Sequence, residues 1–285
     1  MDEILIKNIN SIKRLIKTGL NEDFNRKKDI TSKAIFKNEY GKCRIIAKQS
    51  GVISGIDIAE LVFKMIDKRV IFKKFKNDKD KLLPSDIVAE IEGKVISLLE
   101  GERTALNLLG YLSGIATITS RFVELAENNT KILDTRKILP CYRILAKYAV
   151  RCGGAENHRN GLYDMILIKD NHIDAAGSIE KAVNRVRKKY NNRYKIEVET
   201  RNLKEVEEAL KMNVDRIMLD NMSLDMAKQA LDIINKRIET EISGNIDEEK
   251  LIQYAKLKPT YISIGLLTHS VKCFDFSMKF YKITA

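Results

Sequence analysis

Charged and hydrogen-bonding side chains crowd around one short apolar run in the middle of the chain. Segment 151–172 holds two of the three histidines, two arginines and a lysine around the run Met165-Ile-Leu-Ile168. A branched apolar run of this length is typical of a buried strand. The residues Lys169-Asp170-Asn171-His172 follow directly, where the strand ends and the chain reaches solvent. Such a concentration at a strand end favours a functional site over an ordinary solvated surface.

Six predicted strands share this property, since each ends in polar, reactive or small residues. The segments that follow the six apolar runs are 134–137, 169–172, 199, 220–221, 243–245 and 265–270. In a β/α barrel the carboxyl ends of the parallel strands converge at one mouth, where such enzymes place their active sites. The sequence therefore predicts an active site at the mouth of a barrel.

The predicted mouth is rich in cations, which indicates an anionic substrate. Arginine offers a planar fork that matches a carboxylate or a phosphate, and lysine supplies a compact charge. Cations at this density would repel one another unless an anion shared the site. We therefore expect a substrate with several negative groups. The cations are Arg136, Lys137, Arg159 and Lys169, and the histidines His158 and His269 accompany them.

Two carboxylates, Glu199 and Asp220, are expected beside these cations on neighbouring strands. They could hold Mg²⁺, which prefers oxygen ligands and commonly bridges to phosphates. They could equally stabilise positive charge that develops on a sugar carbon. The loops Ser243-Gly244-Asn245 and 265–270 follow the last strands, near helix starts, where barrels often bind phosphate through backbone N–H groups.

Most of these residues also have a structural explanation when they are considered alone. The alternatives are Glu102 and Arg103 as a surface ion pair, Asp134 and Arg136 as a structural ion pair, His158 and Arg159 as a solvated loop, His172 as a loop support and His269 as a core residue. Glu199 and Asp220 are the least ambiguous, because a charge at the end of a buried strand needs a partner. The predicted site therefore depends on convergence rather than on any single residue.

Hydrophobic spacing predicts the elements that position these residues. Residues 3–18 predict a helix with one apolar face, and residues 101–127 predict a long helix. The first third of the chain mixes strand-like and helical segments without a repeating order, as in an α+β domain. From residue 131 onward, strands and helices alternate, which implies a parallel sheet with right-handed crossovers. Six visible strands predict a barrel with fewer than eight strands, or an open sheet.

Composition restricts the class of protein. The chain has 285 residues, of which 44% are hydrophobic and 32% charged, as in an ordinary protein of one or two folded domains. The N-terminal stretch is acidic where a signal peptide is positive, and no apolar run approaches membrane-spanning length. The four cysteines form no CxxC pair. We therefore expect reduced thiols in a cytoplasmic protein without structural zinc.

The net charge of +12 admits nucleic acid, an acidic membrane surface or small anionic substrates as partners. Lysines often stand beside aspartates or glutamates, and there is no basic tail, no RNA-binding aromatic motif and no tryptophan. These features favour small anions over nucleic acid. A basic nucleic-acid-binding protein stays open as an alternative, which salt-sensitive retention of RNA without turnover would support.

Six stretches form long motifs: ERTALNLLGYLSGIAT (102–117), LDTRK (133–137), KYAVRCGG (147–154), NHRNGLYDMILIKDNH (157–172), MLDNMS (218–223) and IGLLTHS (264–270). In their sequences and their order they resemble quinolinate phosphoribosyltransferase, the decarboxylating enzyme family of NAD synthesis. The resemblance covers nearly the whole chain. It implies a fold, an activity and a set of site residues.

The implied fold is of the α/β class. It has an N-terminal α+β domain over residues 1–104, completed by residues 271–285, and an open, seven-stranded, TIM-like α/β barrel over residues 105–270 as the catalytic domain. The resemblance also implies a homodimer whose active sites each borrow residues from the neighbouring subunit. We expect no nucleic-acid partner and no membrane partner.

The implied reaction converts quinolinate and 5-phosphoribosyl 1-diphosphate to nicotinate mononucleotide, diphosphate and CO₂, with Mg²⁺ as cofactor. Matching motifs place Arg103 in the partner's site, against a quinolinate carboxylate. The other implied quinolinate-binding residues are Thr135, Arg136, His158, Arg159 and Lys169. The implied residues for the phosphoribosyl donor are Lys137, Glu199 and Asp220, with Glu199 and Asp220 as metal ligands, and Ser243, Gly244, Asn245, Gly265 and His269 for its 5-phosphate. The implied catalytic group is Lys137, Lys169, Glu199 and Asp220.

The chain departs from the family pattern in three places. Ile138 and Cys141 replace a threonine and a glycine after the DTRK motif, and cysteine lacks glycine's freedom at positive φ. Asn245 replaces the last glycine of the usual SGG loop, but asparagine is the best non-glycine residue for a left-handed position. Lys48 stands where members often carry an arginine.

A relative with the same fold that acts on another acceptor, such as the phosphoribosyltransferase-like proteins found with molybdate transport systems, is the close alternative. The intact LIKDNH and NHR motifs favour quinolinate, because a dianion justifies the number of cations.

Overall fold

The computed structural model of the chain describes residues 1–25 and 27–284. Its helices are α1 (Glu3–Lys7), α2 (Ile9–Phe24), α3 (Ile30–Ile35), α4 (Ile56–Ile66), α5 (Val95–Leu125), α6 (Arg143–Cys152), α7 (Asp170–Ala176), α8 (Ile179–Tyr190), α9 (Leu203–Lys211), α10 (Leu224–Ile234), α11 (Glu248–Ala255) and α12 (Leu266–His269). Among the described residues, no helix combines the length and the apolar character that crossing a membrane requires.

The strands form a four-stranded sheet, a six-stranded sheet and a two-stranded pair. They are β1 (Tyr40–Ala47), β2 (Gly51–Val52), β3 (Ile71–Lys74), β4 (Lys81–Leu82), β5 (Ile87–Lys94), β6 (Lys131–Leu133), β7 (Ile166–Ile168), β8 (Ile196–Thr200), β9 (Arg216–Asp220), β10 (Glu239–Ser243), β11 (Tyr261–Ser263) and β12 (Phe276–Thr284). The six predicted apolar runs all appear as strands of the six-stranded sheet, from β6 to β11.

The chain folds into two compact units that are discontinuous in sequence. The first unit comprises Met1–Ser120, Leu139–Gly154 and Ser270–Ala285. The second unit comprises Arg121–Ile138 and Ala155–His269. The first division lies between Ser120 and Arg121, whereas the predicted boundary lies between residues 104 and 105, and both positions fall inside the continuous helix α5.

Helix α6 belongs to the first unit, whereas the predicted boundaries assign its segment to the barrel. The Tyr148 hydroxyl in this helix donates a 2.6 Å hydrogen bond to Asp78, and burial raises the pKa of that carboxyl. Arg151, at the end of the helix, forms a 3.5 Å ion pair with Asp2. The helix is therefore held by residues far away in sequence, which a boundary drawn along the chain does not capture.

An antiparallel sheet is the scaffold of the first unit. Its strand order is β12-β1-β5-β3, so the last strand of the chain pairs with the first. Alternate residues of β1 are buried, as expected for a strand with one face against a core. Helix α5 packs against the segment before β12, since a Cβ at Gly110 would lie 2.7 Å from the carbonyl oxygen of Phe274.

A parallel sheet is the scaffold of the second unit. Its strand order is β6-β11-β10-β9-β8-β7, and every neighbouring pair is parallel. A single parallel bridge between Leu133 and Glu156 adds a seventh position beside β6. Within the described residues no ladder joins β7 to this seventh position, so the barrel is open. The predicted fold class is confirmed, with the seventh strand reduced to one bridge.

Side-chain N-caps begin three of the helices that return the chain between parallel strands. The side chains of Asn202, Ser223 and Asp247 accept hydrogen bonds from the backbone N–H groups three residues later, at 3.0, 3.3 and 2.8 Å. Each cap satisfies a backbone donor that the first turn of a helix leaves without an intrahelical partner. The caps therefore set where α9, α10 and α11 begin.

The N-terminal helix differs from its prediction. Residues 3–18 form two helices, α1 and the first part of α2, which meet at Asn8. The Asn8 side-chain amide donates a 2.8 Å hydrogen bond to the carbonyl oxygen of Ile4, and such bonds compete with a continuous helix. Leu5 and Ile12 are buried on either side of the break. Apolar spacing alone therefore conceals it.

Candidate active site

The carboxyl ends of the parallel strands surround a cavity of about 540 Å³ in the second unit. Its size falls within the range of small-molecule sites. The lining residues are Thr135, Arg136, Lys137, His158, Arg159, Leu167, Lys169, Glu199, Met218, Asp220, Asn221, Glu241, Ser243, Gly244, Asn245, Ser263 and Gly265. The structure thus brings together every predicted site residue of the barrel except His269.

The turn after β6 carries the first group of predicted residues, Thr135, Arg136 and Lys137. The Thr135 hydroxyl accepts a hydrogen bond from the Lys137 backbone N–H at 3.1 Å. The Lys137 carbonyl oxygen accepts one from the Thr268 hydroxyl at 3.0 Å. These two bonds hold the turn from both sides and so limit the positions that the Arg136 and Lys137 side chains can reach.

Arg159 is the second guanidinium of the cavity and is half-buried. It donates a 3.2 Å hydrogen bond to the carbonyl oxygen of Met165. Burial, and then the positive charge of Arg136, lower the pKa of Arg159. A guanidinium group whose charge is disfavoured by burial and by a neighbouring cation is stabilised when an anion binds beside it. This side of the cavity is therefore suited to a carboxylate or a phosphate.

A buried carboxylate orients the loop that carries His158 and Arg159. Asp134 is fully buried at the end of β6. Its Oδ1 accepts a hydrogen bond from the His158 backbone N–H at 2.9 Å, and its Oδ2 accepts one from the Asn157 side chain at 2.7 Å. Asp134 therefore acts on the loop rather than as part of the cavity lining.

The carboxylate side of the cavity begins with Glu199. This residue is buried at the end of β8, and its Oε2 accepts a 2.9 Å hydrogen bond from Lys169 Nζ. The ammonium group supplies the partner that a charge in this position requires. Lys169 itself is held at its backbone, since its N–H donates a 2.9 Å hydrogen bond to Nδ1 of His172. His172 thus supports the loop and does not line the cavity.

Asp220 and Asn221 connect β9 to the loop after β10. The Asn221 side-chain amide donates a 2.6 Å hydrogen bond to Asp220 Oδ2, and its backbone N–H donates a 2.9 Å hydrogen bond to the carbonyl oxygen of Ser243. A longer contact of 3.5 Å joins Asn245 Nδ2 to Asn221 Oδ1. Asn221 therefore links the second carboxylate to the loop Ser243-Gly244-Asn245. It was not among the predicted site residues, although it follows Asp220 at a strand end.

Replacing Gly244 with alanine should destabilise the protein by more than the cost of placing a residue with a side chain at positive φ. Gly244 has φ +111°, and an added Cβ would lie 2.3 Å from Asn221 Oδ1 and 2.8 Å from the Asn221 backbone nitrogen. Gly177→Ala is the matched control, because Gly177 has φ +95° but only the tip of Lys181 lies within 4 Å of its added Cβ, at 3.5 Å. We expect Gly244→Ala to lower the free energy of unfolding by about 2 kcal/mol more than Gly177→Ala. Urea titration measures both, and equal losses would contradict the close packing around Gly244.

Two family departures keep the backbone conformation that glycine favours. Cys141 has φ 70° and Asn245 has φ 48°, both in the left-handed region. A left-handed residue with a side chain carries a strain of roughly 1 kcal/mol, and asparagine tolerates it best. The loop with Asn245 therefore retains its course despite the added side chain.

Gly265 and His269 lie after β11, at the short helix α12. The backbone N–H groups of Thr268 and His269 both donate 3.1 Å hydrogen bonds to the carbonyl oxygen of Gly265. A Cβ at Gly265 would lie 3.0 Å from His269 Cδ2 and 3.1 Å from Lys137 Cδ. His269 therefore stands directly beside Gly265, one layer outside the cavity lining.

A cluster of buried ionisable residues includes two residues of the cavity lining, His158 and Glu241. His158 Nε2 lies 3.1 Å from Glu197 Oε2 and 3.5 Å from Glu241 Oε2, and both carboxylates are fully buried. Burial raises the pKa of both glutamates, and in Glu241 the charge of Glu197 adds to the effect. Arg216 Nη1 lies 3.0 Å from Glu241 Oε2 and supplies opposite charge. None of Glu197, Glu241 and Arg216 was among the predicted site residues.

Two remaining residues lie in the first unit. Arg103 is exposed on α5 and is not among the lining residues of the cavity. Lys48 directly follows β1, and its backbone N–H donates a 3.0 Å hydrogen bond to the carbonyl oxygen of Asp275. The structure thus does not place either side chain in the cavity of the second unit.

Comparisons with known proteins agree across sequence and structure. Residues 29–113 match the family model for the quinolinate phosphoribosyl transferase N-terminal domain, and residues 115–279 match that for the C-terminal domain. The chain is 40% identical over 288 residues to quinolinate phosphoribosyltransferase [decarboxylating] 1b of Nicotiana tabacum, covering 94% of this chain and 82% of the relative. It is 43% identical over 251 residues to a probable nicotinate-nucleotide pyrophosphorylase [carboxylating] of Bacillus subtilis, covering 88% and 87%.

The solved structure of NadC from Streptococcus pyogenes has the same fold. It superimposes with a TM-score of 0.91 at 43% sequence identity, covering 96% of both chains. The two domain models together match residues 29–113 and 115–279, and these relatives are matched over most of their length. The chain belongs to the quinolinate phosphoribosyltransferase family.

Proposed function

We propose that this chain transfers the phosphoribosyl group of 5-phosphoribosyl 1-diphosphate to the ring nitrogen of quinolinate, with loss of the 2-carboxylate. The products are nicotinate mononucleotide, diphosphate and CO₂, and the reaction serves de novo NAD biosynthesis. One observation carries this proposal: a single cavity joins the guanidinium groups of Arg136 and Arg159, the strand-end carboxylates of Glu199 and Asp220, and two glycine-containing loops. These groups match, respectively, a dianionic acceptor, a sugar centre with its metal, and a phosphate.

The cationic side of the cavity binds quinolinate in this proposal. Arg136 and Arg159 each offer a planar pair of donors for one carboxylate, and their mutual repulsion falls when the dianion binds. Lys169, which also lines the cavity, adds a third positive charge. Thr135 and His158 line the same region.

The opposite side binds the phosphoribosyl donor. Lys137 neutralises part of its diphosphate, and Glu199 and Asp220 face the ribose carbon at which positive charge develops. The residues for the 5-phosphate are Ser243, Gly244, Asn245 and Gly265, with His269 behind them.

The carboxylate pair also fits Mg²⁺. Glu199 and Asp220 stand on the neighbouring strands β8 and β9, line one cavity, and supply the oxygen ligands that Mg²⁺ prefers. The hydrogen bonds from Lys169 and Asn221 engage one oxygen of each carboxylate. When it is bound, Mg²⁺ neutralises the charge that builds up on the departing diphosphate.

The bond between ribose C1 and the diphosphate oxygen breaks first, and the electron pair leaves with diphosphate. The quinolinate nitrogen then bonds to C1 with its lone pair and becomes positively charged. That charge stabilises the electron pair left on ring carbon C2 when the 2-carboxylate departs as CO₂. C2 finally takes up a proton. Arg136 and Arg159 hold the ring in place throughout, and Glu199 and Asp220 stabilise the cationic sugar.

The proposed assembly is a cytoplasmic homodimer with shared active sites. The exposed Arg103 on α5 supports this proposal, because its motif implies a role in a site and its side chain is accessible to a second subunit. Arg103 of each subunit would contact a quinolinate carboxylate bound to the other. The four free cysteines are compatible with a reducing compartment.

The experiment that tests the acceptor mixes the protein with the ribosyl donor, Mg²⁺ and either quinolinate or nicotinate. Release of diphosphate is measured over time. We expect release with quinolinate and none above background with nicotinate, because nicotinate leaves part of the cation cluster without a counter-charge. Faster release with nicotinate would overturn the proposed substrate.

A further inference from the structure

We propose that Glu197, Glu241 and Arg216 are positioning residues for quinolinate binding, which hold His158 and, through it, Arg159. This inference rests on the proposed function, since it concerns the side of the cavity that takes the two carboxylates. The three residues lie on the adjacent strands β8, β9 and β10. His158 and Arg159, by contrast, lie on a loop, which needs outside support to keep a fixed geometry.

Both ring nitrogens of His158 face protein groups. Nδ1 accepts a 2.7 Å hydrogen bond from the Arg159 backbone N–H. A nitrogen that accepts a hydrogen bond carries no proton, so the proton of the neutral ring lies on Nε2. Nε2 is the atom that faces the Glu197 and Glu241 carboxylates, at 3.1 and 3.5 Å. His158 therefore lies between the two glutamates and the Arg159 backbone.

Arg216 holds the outer end of this network. Its Nη1 lies 3.0 Å from Glu241 Oε2 and its Nη2 lies 3.2 Å from Glu239 Oε2. Its guanidinium also stacks on the ring of Tyr261, with 3.9 Å between the guanidinium carbon and the ring centroid. A planar guanidinium fixed at three points can hold a carboxylate in one orientation. The contacts thus run from Arg216 through Glu241 to His158.

A metal ion is the competing explanation for the same residues. Ligand atoms of His158, Glu197 and Glu241 lie within 4.8 Å of one another, close enough to share an ion. Arg216 already brings a positive charge to Glu241, and a metal ion would have to share that carboxylate with a buried guanidinium against charge repulsion. The geometry therefore favours a network of close contacts between ionisable groups over a metal centre.

The variants Glu197→Gln and Glu241→Gln test the network, because glutamine keeps the shape of glutamate and removes its charge. In each, we expect the KM for quinolinate to rise roughly ten-fold or more, as for other lost charge-assisted contacts. The kcat and the KM for the ribosyl donor should change by about two-fold or less, since neither glutamate is assigned to the donor. Isothermal titration with quinolinate alone should show the same loss of affinity.

Glu239→Gln is the matched control. This variant also replaces a glutamate that contacts the Arg216 guanidinium. Glu239, however, contacts Arg216 from the more exposed side, away from His158. We expect wild-type kinetics for it. The proposal would be overturned if Glu197→Gln and Glu241→Gln each fold and keep the wild-type KM for quinolinate. An equal rise in the KM for the ribosyl donor would overturn it as well.

A spectroscopic measurement keeps the proposal testable if the variants fold poorly. The chain has three histidines, so ¹⁵N labelling of histidine resolves each ring, and His158→Gln assigns the one of interest. The wild-type protein without substrate should show His158 as the neutral ring protonated on Nε2. An imidazolium, a proton on Nδ1, or one bound metal ion per chain that the glutamine variants lose would overturn the network. These spectroscopic and metal measurements do not require enzymatic turnover. Their outcome therefore does not depend on whether the proposed reaction takes place.

Discussion

Replacing Arg159 with glutamine should lower kcat/KM for quinolinate by roughly 10²- to 10³-fold, as expected when a buried charge pair with the ligand is lost. Arg159 shares its side of the cavity with Arg136, and burial together with that neighbour disfavours its charge. The positive charge of Arg159 therefore costs free energy in the empty cavity, and this cost is offset when a carboxylate binds. For the same reason, the free energy of unfolding of Arg159→Gln should stay the same or rise, because the substitution removes the repulsion between Arg159 and Arg136.

Arg201→Gln is the control for this effect. Arg201 also follows a barrel strand, but it is exposed and already bound to Glu205 at 2.8 Å and to Asp174 at 3.1 Å. Its loss should change kcat/KM by about two-fold or less, because exposed ion pairs contribute little. Steady-state kinetics and urea unfolding of both variants decide the matter. Equal losses of activity in the two would contradict an anion site at Arg159, and so would a strongly destabilised Arg159→Gln.

Mixing two inactive variants, Arg103→Ala and Lys169→Ala, should restore activity once their subunits exchange. Each variant alone lacks one side chain in both sites of its dimer. In a hybrid dimer, one site combines the intact Lys169 of one subunit with the intact Arg103 of the other. Random exchange makes half of the dimers hybrids with one good site each, so activity should approach about a quarter of the wild-type value for a two-fold dimer.

Native mass spectrometry of differently labelled subunits shows whether exchange has taken place. The control mixes Arg103→Ala with Arg103→Ala/Lys169→Ala, a pair that cannot assemble an intact site. Recovery only in the first mixture supports a shared site. Full exchange without recovery would mean that Arg103 acts within its own subunit, and a monomer at working concentration would contradict the proposed assembly.

The order of strands and the residues at their ends could be predicted because two patterns agree. Short apolar runs alternate with helices, and polar residues follow each run, so β6 to β11 and many of the lining residues at their carboxyl ends could be predicted from spacing. The caps at Asn202, Ser223 and Asp247 involve residues within one helical turn, so the sequence alone can predict them. The departures at Cys141 and Asn245 keep positive φ, which local residue preference could suggest but not establish.

The site residues that the sequence did not predict make their contacts with residues that are distant in sequence. Glu197 and Glu241 were not singled out in the sequence, but both are fully buried and meet at His158. A signal was present, since Glu197 precedes Glu199 by two residues and therefore faces the same side of its strand. The break at Asn8 and the placement of α6 in the first unit depend on contacts between distant residues. Spacing along the chain carries no information about such partners.

The central claim is that one site both transfers the ribosyl group and removes a specific carboxylate. Quinolinate labelled with ¹⁴C in its 2-carboxylate tests it most directly, in the presence of the ribosyl donor and Mg²⁺. The account predicts that labelled CO₂ and unlabelled nicotinate mononucleotide appear in equal amounts, and that neither forms without the donor. Label retained in the nucleotide, or CO₂ released without nucleotide formation, would contradict it.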